Sequence, residues 1–202
     1  IQEEEFFLSS DNRFLNGKTI FLAIVGEKYN PLEHLEKVVS SGCKYVMCEE
    51  KSVSQKVIEK WNGKLSFLLV TNLVKTISEL GKIVVSEFQE RGGKVIAISG
   101  SNGKTTTKEM LSHILIENHG PEKIICTQKN YNNHLGVPFT LFQIREKTKF
   151  AIVELGSNAP GEIEFLCKMI NADLGVTTNI GDTHLEFFET RENVFTEESV
   201  LS

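Results

Sequence analysis

Near the middle of the chain an apolar run, Val95–Ser99 (VIAIS), leads into Gly100-Ser101-Asn102-Gly103-Lys104-Thr105-Thr106, and a helix-forming stretch from Lys104 to Asn118 follows at once. Strand, glycine loop and helix in that order form the setting a phosphate-cradling loop requires. Glycines let successive backbone N–H groups turn inward on an anion, and the start of the helix adds a dipole that favours negative charge. In this setting Lys104 is expected to bridge the terminal phosphates and the Thr105 hydroxyl to bind magnesium. The pattern is GxxGKTT and not GxxxxGK[ST], because Ile98 stands where the longer motif has its first glycine. The motif therefore draws its weight from the elements on either side. The candidate ATP-binding residues are Gly100, Ser101, Asn102, Gly103, Lys104, Thr105 and Thr106.

The rest of the chain fits an α/β architecture. Thr19–Val25, Tyr45–Cys48 and Leu65–Val70 are short apolar strand candidates, and Pro31 to Ser41 has helical spacing with Gly42 as its stop. Thr76 to Glu90 reads as an amphipathic helix with Ile77, Leu80, Val84 and Phe88 on one stripe, ended by Arg91-Gly92-Gly93. Beyond it, Phe150–Leu155 reads as a buried strand, Glu162–Ile170 as a helix and Leu174–Asn179 as a third strand. The expectation is a small N-terminal α/β domain over 1–90. A P-loop-type central domain follows over 91–202, with a mostly parallel sheet flanked by helices.

Composition narrows the function. With 40% hydrophobic and 24% charged residues and a formal charge of −5, the chain has enough apolar material for a core and no basic run of the kind nucleic acid binding uses. No stretch of roughly 18 apolar residues occurs, so no membrane insertion is expected, and residues 1–7 lack the basic and apolar regions of a signal peptide. Cys43, Cys48, Cys126 and Cys167 form no CxxC pair, which suits reduced thiols in a cytoplasmic protein. The sequence starts without Met and ends just after Glu197-Glu198, and a piece of a longer protein is expected.

Two further strand ends carry chemistry. Glu154 closes FAIVE, and a carboxylate at the carboxyl end of a strand beside a phosphate loop is a natural magnesium ligand, as ligands of open α/β sheets bind along that edge. Its bland alternative is a solvated strand terminus. His184 follows the last strand in Asn179-Ile180-Gly181-Asp182-Thr183-His184, at the same edge, though a lone histidine more often packs than ligates. The three ends converge, which strengthens each. Tyr131 to Pro138 (YNNHLGVP) offers amides for a substrate. Asn and Gly are also turn formers, and the residues alone leave both readings open.

Four segments resemble the Mur ligases: GSNGKTTTKEM (Gly100–Met110), NYNNHLGVPFTLF (Asn130–Phe142), ELGSNAPGEI (Glu154–Ile163) and NIGDTHLEFF (Asn179–Phe188). The TKEM ending and the NNHLGVP run resemble the member that joins D-alanyl-D-alanine to UDP-N-acetylmuramoyl (UDP-MurNAc) tripeptide more than the ligases that add earlier amino acids. More loosely, Ser10-Asp11-Asn12-Arg13 is similar to the family's DSR segment, and FLAIVGEKYN to its LFxAxxGxxxDG segment. Here Asn12 replaces the usual serine or threonine, and Asn30-Pro31 replaces Asp-Gly.

The resemblance implies an ATP-dependent amide-bond ligase of peptidoglycan precursor synthesis, acting through an acyl phosphate. It implies Mg-ATP on Gly100–Thr106, with Thr105, Glu154 and His184 as metal ligands. Asn130, Asn132 and Asn133 are then expected near the substrate, and Asp11, Asn12 and Arg13 in the domain that holds the uridine nucleotide. Where the family usually has a carbamylated lysine, fourteen residues after the metal histidine, this chain has Glu198, expected to supply a carboxylate directly. Lys104, Glu154, His184 and Glu198 are thus the candidate catalytic residues. The resemblance further implies a third domain that brings the amine, so these 202 residues alone are expected to bind nucleotide weakly without ligating, as a monomer. The alternatives are a folate-polyglutamate or cyanophycin-type ligase with another acceptor, and a nucleotide-binding module that has lost catalysis.

Overall fold

The computed structural model describes residues 6–26, 29–181 and 185–201, without the side chains of residues 185 and 186. It divides into two compact units, Ile1–Thr76 and Ile77–Ser202.

The first unit is built on a four-stranded parallel sheet in the order β1 (Phe7–Ser9), β2 (Thr19–Leu22), β3 (Tyr45–Glu49), β4 (Ser66–Val70). Strand alternation sends Phe21 and Ala23, then Val46 and Cys48, to one face. There they pack with Leu32, Leu35 and Val38 of the segment leading into and forming α1 (Leu35–Ser40), and with Trp61 of α2 (Gln55–Trp61). The helix expected from Pro31 begins as a 3-10 turn, Pro31–His34, because Asn30 caps it by accepting from Leu32 N at 3.0 Å.

Helix α3 (Leu73–Glu90) leads into the second unit. The junction expected at Arg91–Gly93 ends this helix, whereas the division by packing falls earlier, at Thr76. The reason is apolar burial: Val85 and Phe88 lie in the core of the second unit with Val95, Leu141 and Leu166. Gly93 lies so close to the Phe88 ring that a Cβ there would overlap it.

Four parallel strands follow, in the spatial order β6 (Ile124–Cys126), β7 (Phe150–Glu154), β5 (Lys94–Ser99), β8 (Leu174–Thr177). Between them run α4 (Lys104–His119), α5 (Gly136–Leu141) and α6 (Glu162–Ile170), and after them α7 (Leu185–Phe188) and α8 (Arg191–Glu198). Val95, Ala97, Ala151 and Val153 face α3, α5 and α6, while Ile98, Ile124 and Ile152 face Leu111 and Leu115 of α4. The fold is therefore α/β with helices on both faces, as the apolar strand runs predict. The same alternation puts Glu154, two residues after Ile152, on the α4 face. Among the described residues no helix is long and apolar enough to cross a membrane.

Candidate nucleotide-phosphate site

Strand β5 sits between β7 and β8, with Ile98 opposite Glu154 and Ser99 opposite Thr177. Its carboxyl end therefore opens between two neighbouring strand ends, the place where ligands of open α/β sheets bind. Gly100 takes φ 122°, and a Cβ there would overlap the Thr178 hydroxyl. Gly103, at φ 80°, turns the chain into α4. The loop is fastened on its β8 side. Asn102 N donates to Asn179 Oδ1 at 3.0 Å, and Asn102 O accepts from Thr178 Oγ1 at 2.6 Å and Asn179 Nδ2 at 2.9 Å. Ser101 N donates to Asn179 O at 3.0 Å, while Ser101 Oγ accepts from Gly181 N at 2.8 Å. Lys104 Nζ folds over the loop and donates to Gly100 O, with Ser101 O at 3.5 Å.

Glu154 is 3% exposed at the opposite side of the loop helix. Its Oε2 accepts from Thr105 Oγ1 at 2.9 Å, and its Oε1 from Asn132 Nδ2 at 3.1 Å. A hydroxyl and a carboxylate in contact at the head of a glycine loop are hard oxygen donors of the kind magnesium selects, and the residues fit that ion. The loop itself suits a triphosphate, since Lys104 and the start of α4 are positive groups there.

The family of the Mur ligase middle domain matches residues 98–201. The chain belongs to the Mur ligase family. It is 32% identical over 187 residues to the UDP-N-acetylmuramoyl-tripeptide–D-alanyl-D-alanine ligase of Bacillus subtilis, covering 93% of this chain and 38% of that protein. To the ligase of the same name from Buchnera aphidicola (subsp. Baizongia pistaciae) it is 33% identical, covering 91% and 37%. A crystal structure of MurF from Acinetobacter baumannii superposes with a TM-score of 0.82 at 31% identity, over 100% of this chain and 41% of that one. MurF ligase from Thermotoga maritima in complex with ADP gives 0.79 at 26%, over 97% and 42%. The chain thus spans about two fifths of the length of the relatives it matches.

In this Mur ligase unit the expected residues distribute as follows. Gly100 to Thr106, Glu154 and Asn132 come together around the first turn of α4. Thr106 faces outward, lining a surface cavity with Glu109, Met110, His113 and Ile114. Asn133 caps α5, its Oδ1 accepting from Leu135 N at 3.1 Å and Gly136 N at 2.9 Å, and Asn130 stands exposed in the same loop. His184 lies outside the described residues. Glu198 reaches the loop from α8: its buried Oε2 accepts from Ser99 Oγ and from Gly100 N at 2.8 Å. Asp11 and Arg13 belong to the first unit, where Arg13 Nη2 meets Asp11 Oδ2 at 2.6 Å after the end of β1. Asn12 begins the 3-10 turn that Asp11 caps.

Three contributors escape sequence reasoning. Lys108 is 1% exposed and holds Thr127 O at 2.7 Å; Thr127 Oγ1 accepts from Glu154 N at 2.9 Å. Glu197 accepts from Gly161 N at 2.7 Å, Ile163 N at 2.8 Å and Ser157 Oγ at 3.0 Å, capping α6 from outside. The polar Thr178-Asn179 pair directly after β8 was the one visible signal among residues that fasten the loop.

Proposed function

We propose that this chain is the nucleotide-binding part of an ATP-dependent ligase that joins D-Ala-D-Ala to UDP-MurNAc-tripeptide in peptidoglycan precursor synthesis, working as a monomer in the cytoplasm. The observation that carries the reading is the contact of Thr105 with Glu154 beneath the Gly100–Gly103 loop, in a chain whose relatives bear that activity in their names. Thr105 and Glu154, with His184, are the residues that would hold magnesium, which when bound neutralises phosphate charge and polarises the transferring phosphoryl group.

The chain's own residues then divide the work. The Gly100, Ser101 and Asn102 N–H groups are taken by Glu198 and Asn179, so the Gly103 N–H and the start of α4 serve the phosphates, and the Lys104 ammonium leaves Gly100 O for the negative charge that collects during transfer. This neutralisation answers the main difficulty, bringing the tripeptide carboxylate against a triphosphate to form an acyl phosphate and ADP. Displacement of phosphate by the amine of D-Ala-D-Ala then closes the amide bond. Asn132, already on Glu154, and the exposed Asn130 are the loop residues nearest in sequence to serve the substrate. Asn133 shapes that loop by capping α5. Glu198 supports the phosphate loop from behind, and Asp11, Asn12 and Arg13 serve the uridine nucleotide in the first unit.

The test is a ligation assay read by mass spectrometry, with ATP, magnesium, UDP-MurNAc-tripeptide and D-Ala-D-Ala, on the longest protein that carries this sequence. Pentapeptide product with ADP is expected, and Lys104→Ala should abolish it. ATP bound without product would transfer the assignment to another acceptor or to a non-catalytic module.

A further inference from the structure

Lysine is among the residues least often buried completely, yet Lys108, one turn beyond Lys104 on α4, is 1% exposed. Its ammonium donates to Thr127 O at 2.7 Å and lies 2.9 Å from Glu109 Oε1 and 4.0 Å from Glu154 Oε2. A buried ion pair is a poor way to stabilise a core, since an apolar side chain of similar length commonly does as well or better. The charge therefore calls for a use beyond packing, and the contacts indicate one.

Thr127, just past the end of β6, is a junction. Its N donates to Ile152 O at 3.0 Å, its Oγ1 accepts from Glu154 N at 2.9 Å, and its O is held by Lys108. Glu154 is thereby tied to α4 twice, directly through Thr105 and indirectly through Thr127 and Lys108. Thr105 and Asn132 supply the carboxylate with only neutral donors, at 2.9 and 3.1 Å, so Lys108 is the nearest fixed positive charge among the described residues to a carboxylate that is 3% exposed. We propose that Lys108 is a positioning residue for Glu154: its buried ammonium pins the end of β6 to α4 and fixes the carboxylate that holds the divalent cation. The assignment rests on the reading of Thr105 and Glu154 as that cation's ligands.

Two readouts on the longest protein that carries this sequence test it. The first needs no metal: amide hydrogen exchange at Thr127 and Glu154. Lys108→Met should speed it at least tenfold while Ile163, in the core on the opposite face, stays unchanged. The second is Mn2+ uptake in the presence of ADP, followed by water-proton relaxation. Lys108→Met should weaken it at least tenfold, and Lys108→Arg should recover most of both effects. Should Lys108→Met fail to fold, Lys108→Gln carries the test: it removes the charge but keeps a polar head for Thr127 O, and it should weaken Mn2+ uptake likewise. Exchange and uptake within twofold of the parent in the folded variant overturn the proposal. A parent that takes up no Mn2+ with ADP, or whose uptake Glu154→Gln leaves unchanged, overturns the ligand reading and takes the proposal with it.

Discussion

Replacing Glu198 separates two roles a carboxylate can play beside a phosphate loop. In the structure its Oε2 takes the Gly100 N–H at 2.8 Å and the Ser99 hydroxyl, and the residue is 7% exposed. Glu198→Ala leaves the Gly100 N–H buried without an acceptor, while Ser99 Oγ can still turn to Leu155 O at 3.4 Å. Hydrogen bonds to a charged group contribute roughly 1.5–3 kcal/mol, and a stranded buried N–H costs a comparable amount, so about 3 kcal/mol of destabilisation is expected. Glu198→Gln retains an acceptor oxygen and should cost about 1 kcal/mol. The lone tryptophan, Trp61, belongs to the first unit, so its fluorescence in a urea titration follows that unit. Amide exchange at Val153 reports the second unit. If the residue is a support, ADP affinity should fall with stability while the magnesium concentration for half-maximal binding stays put. Glu198→Ala within 0.5 kcal/mol of the parent, a tenth or less of a typical domain's stability, would refute the argument. A shifted magnesium dependence at full stability would do so in favour of direct ligation.

Two more outcomes follow from the same structure. Glu197→Ala removes the acceptor for Gly161 N and Ile163 N at the start of α6, and thermal melts should show a loss of about 3 kcal/mol, with Glu197→Gln recovering part of it. Burial pushes the Asp173 carboxyl up, but hydrogen bonds from Lys94 Nζ, Val95 N and Gln89 Nε2 outweigh it and bring the pKa to about 2, against an ordinary 3.8. Because the folded value is the lower one, its stabilisation is present in full above the unfolded value and fades as pH falls towards 2. Asp173 is solvent-exposed, so screening trims the effect: Asp173→Asn should cost about 1 kcal/mol at pH 7, about half that at pH 3, and little at pH 2; a difference that does not shrink with acid would contradict the assignment.

The parallel sheet was legible because its strands are apolar on both faces. VIAIS and FAIVE have no polar alternation to hide behind, and β5 and β7 appear within a residue of the runs that announce them. The loop was legible because glycines and Lys104 sit between a strand and a helix. Short elements escaped: β6 has three residues and α5 contains Pro138, so neither shows a period. Lys108 escaped for a different reason. In sequence it is one more lysine on a helix, and only the depth of the groove between α4 and β6 makes it a buried charge. Met110 and Ile114 are the opposite case, apolar residues of α4 that stand 63% and 56% exposed.

The acidic pair Glu197-Glu198 shows most clearly why spacing alone could not assign these side chains. Successive helical residues point about 100° apart, so two neighbouring carboxylates on α8 serve different loops. Glu198 takes the amide at the start of the phosphate loop after β5; Glu197 takes the amides at the start of α6, beyond the Glu154 end of β7. In both cases an anion of α8 replaces a partner that the loop's own backbone lacks. Pairing of β5 with β7 sets the two loops side by side, and one short helix braces both. A substitution that shifts α8 should disturb both loops together, whereas a change confined to either loop leaves the other held by its own carboxylate.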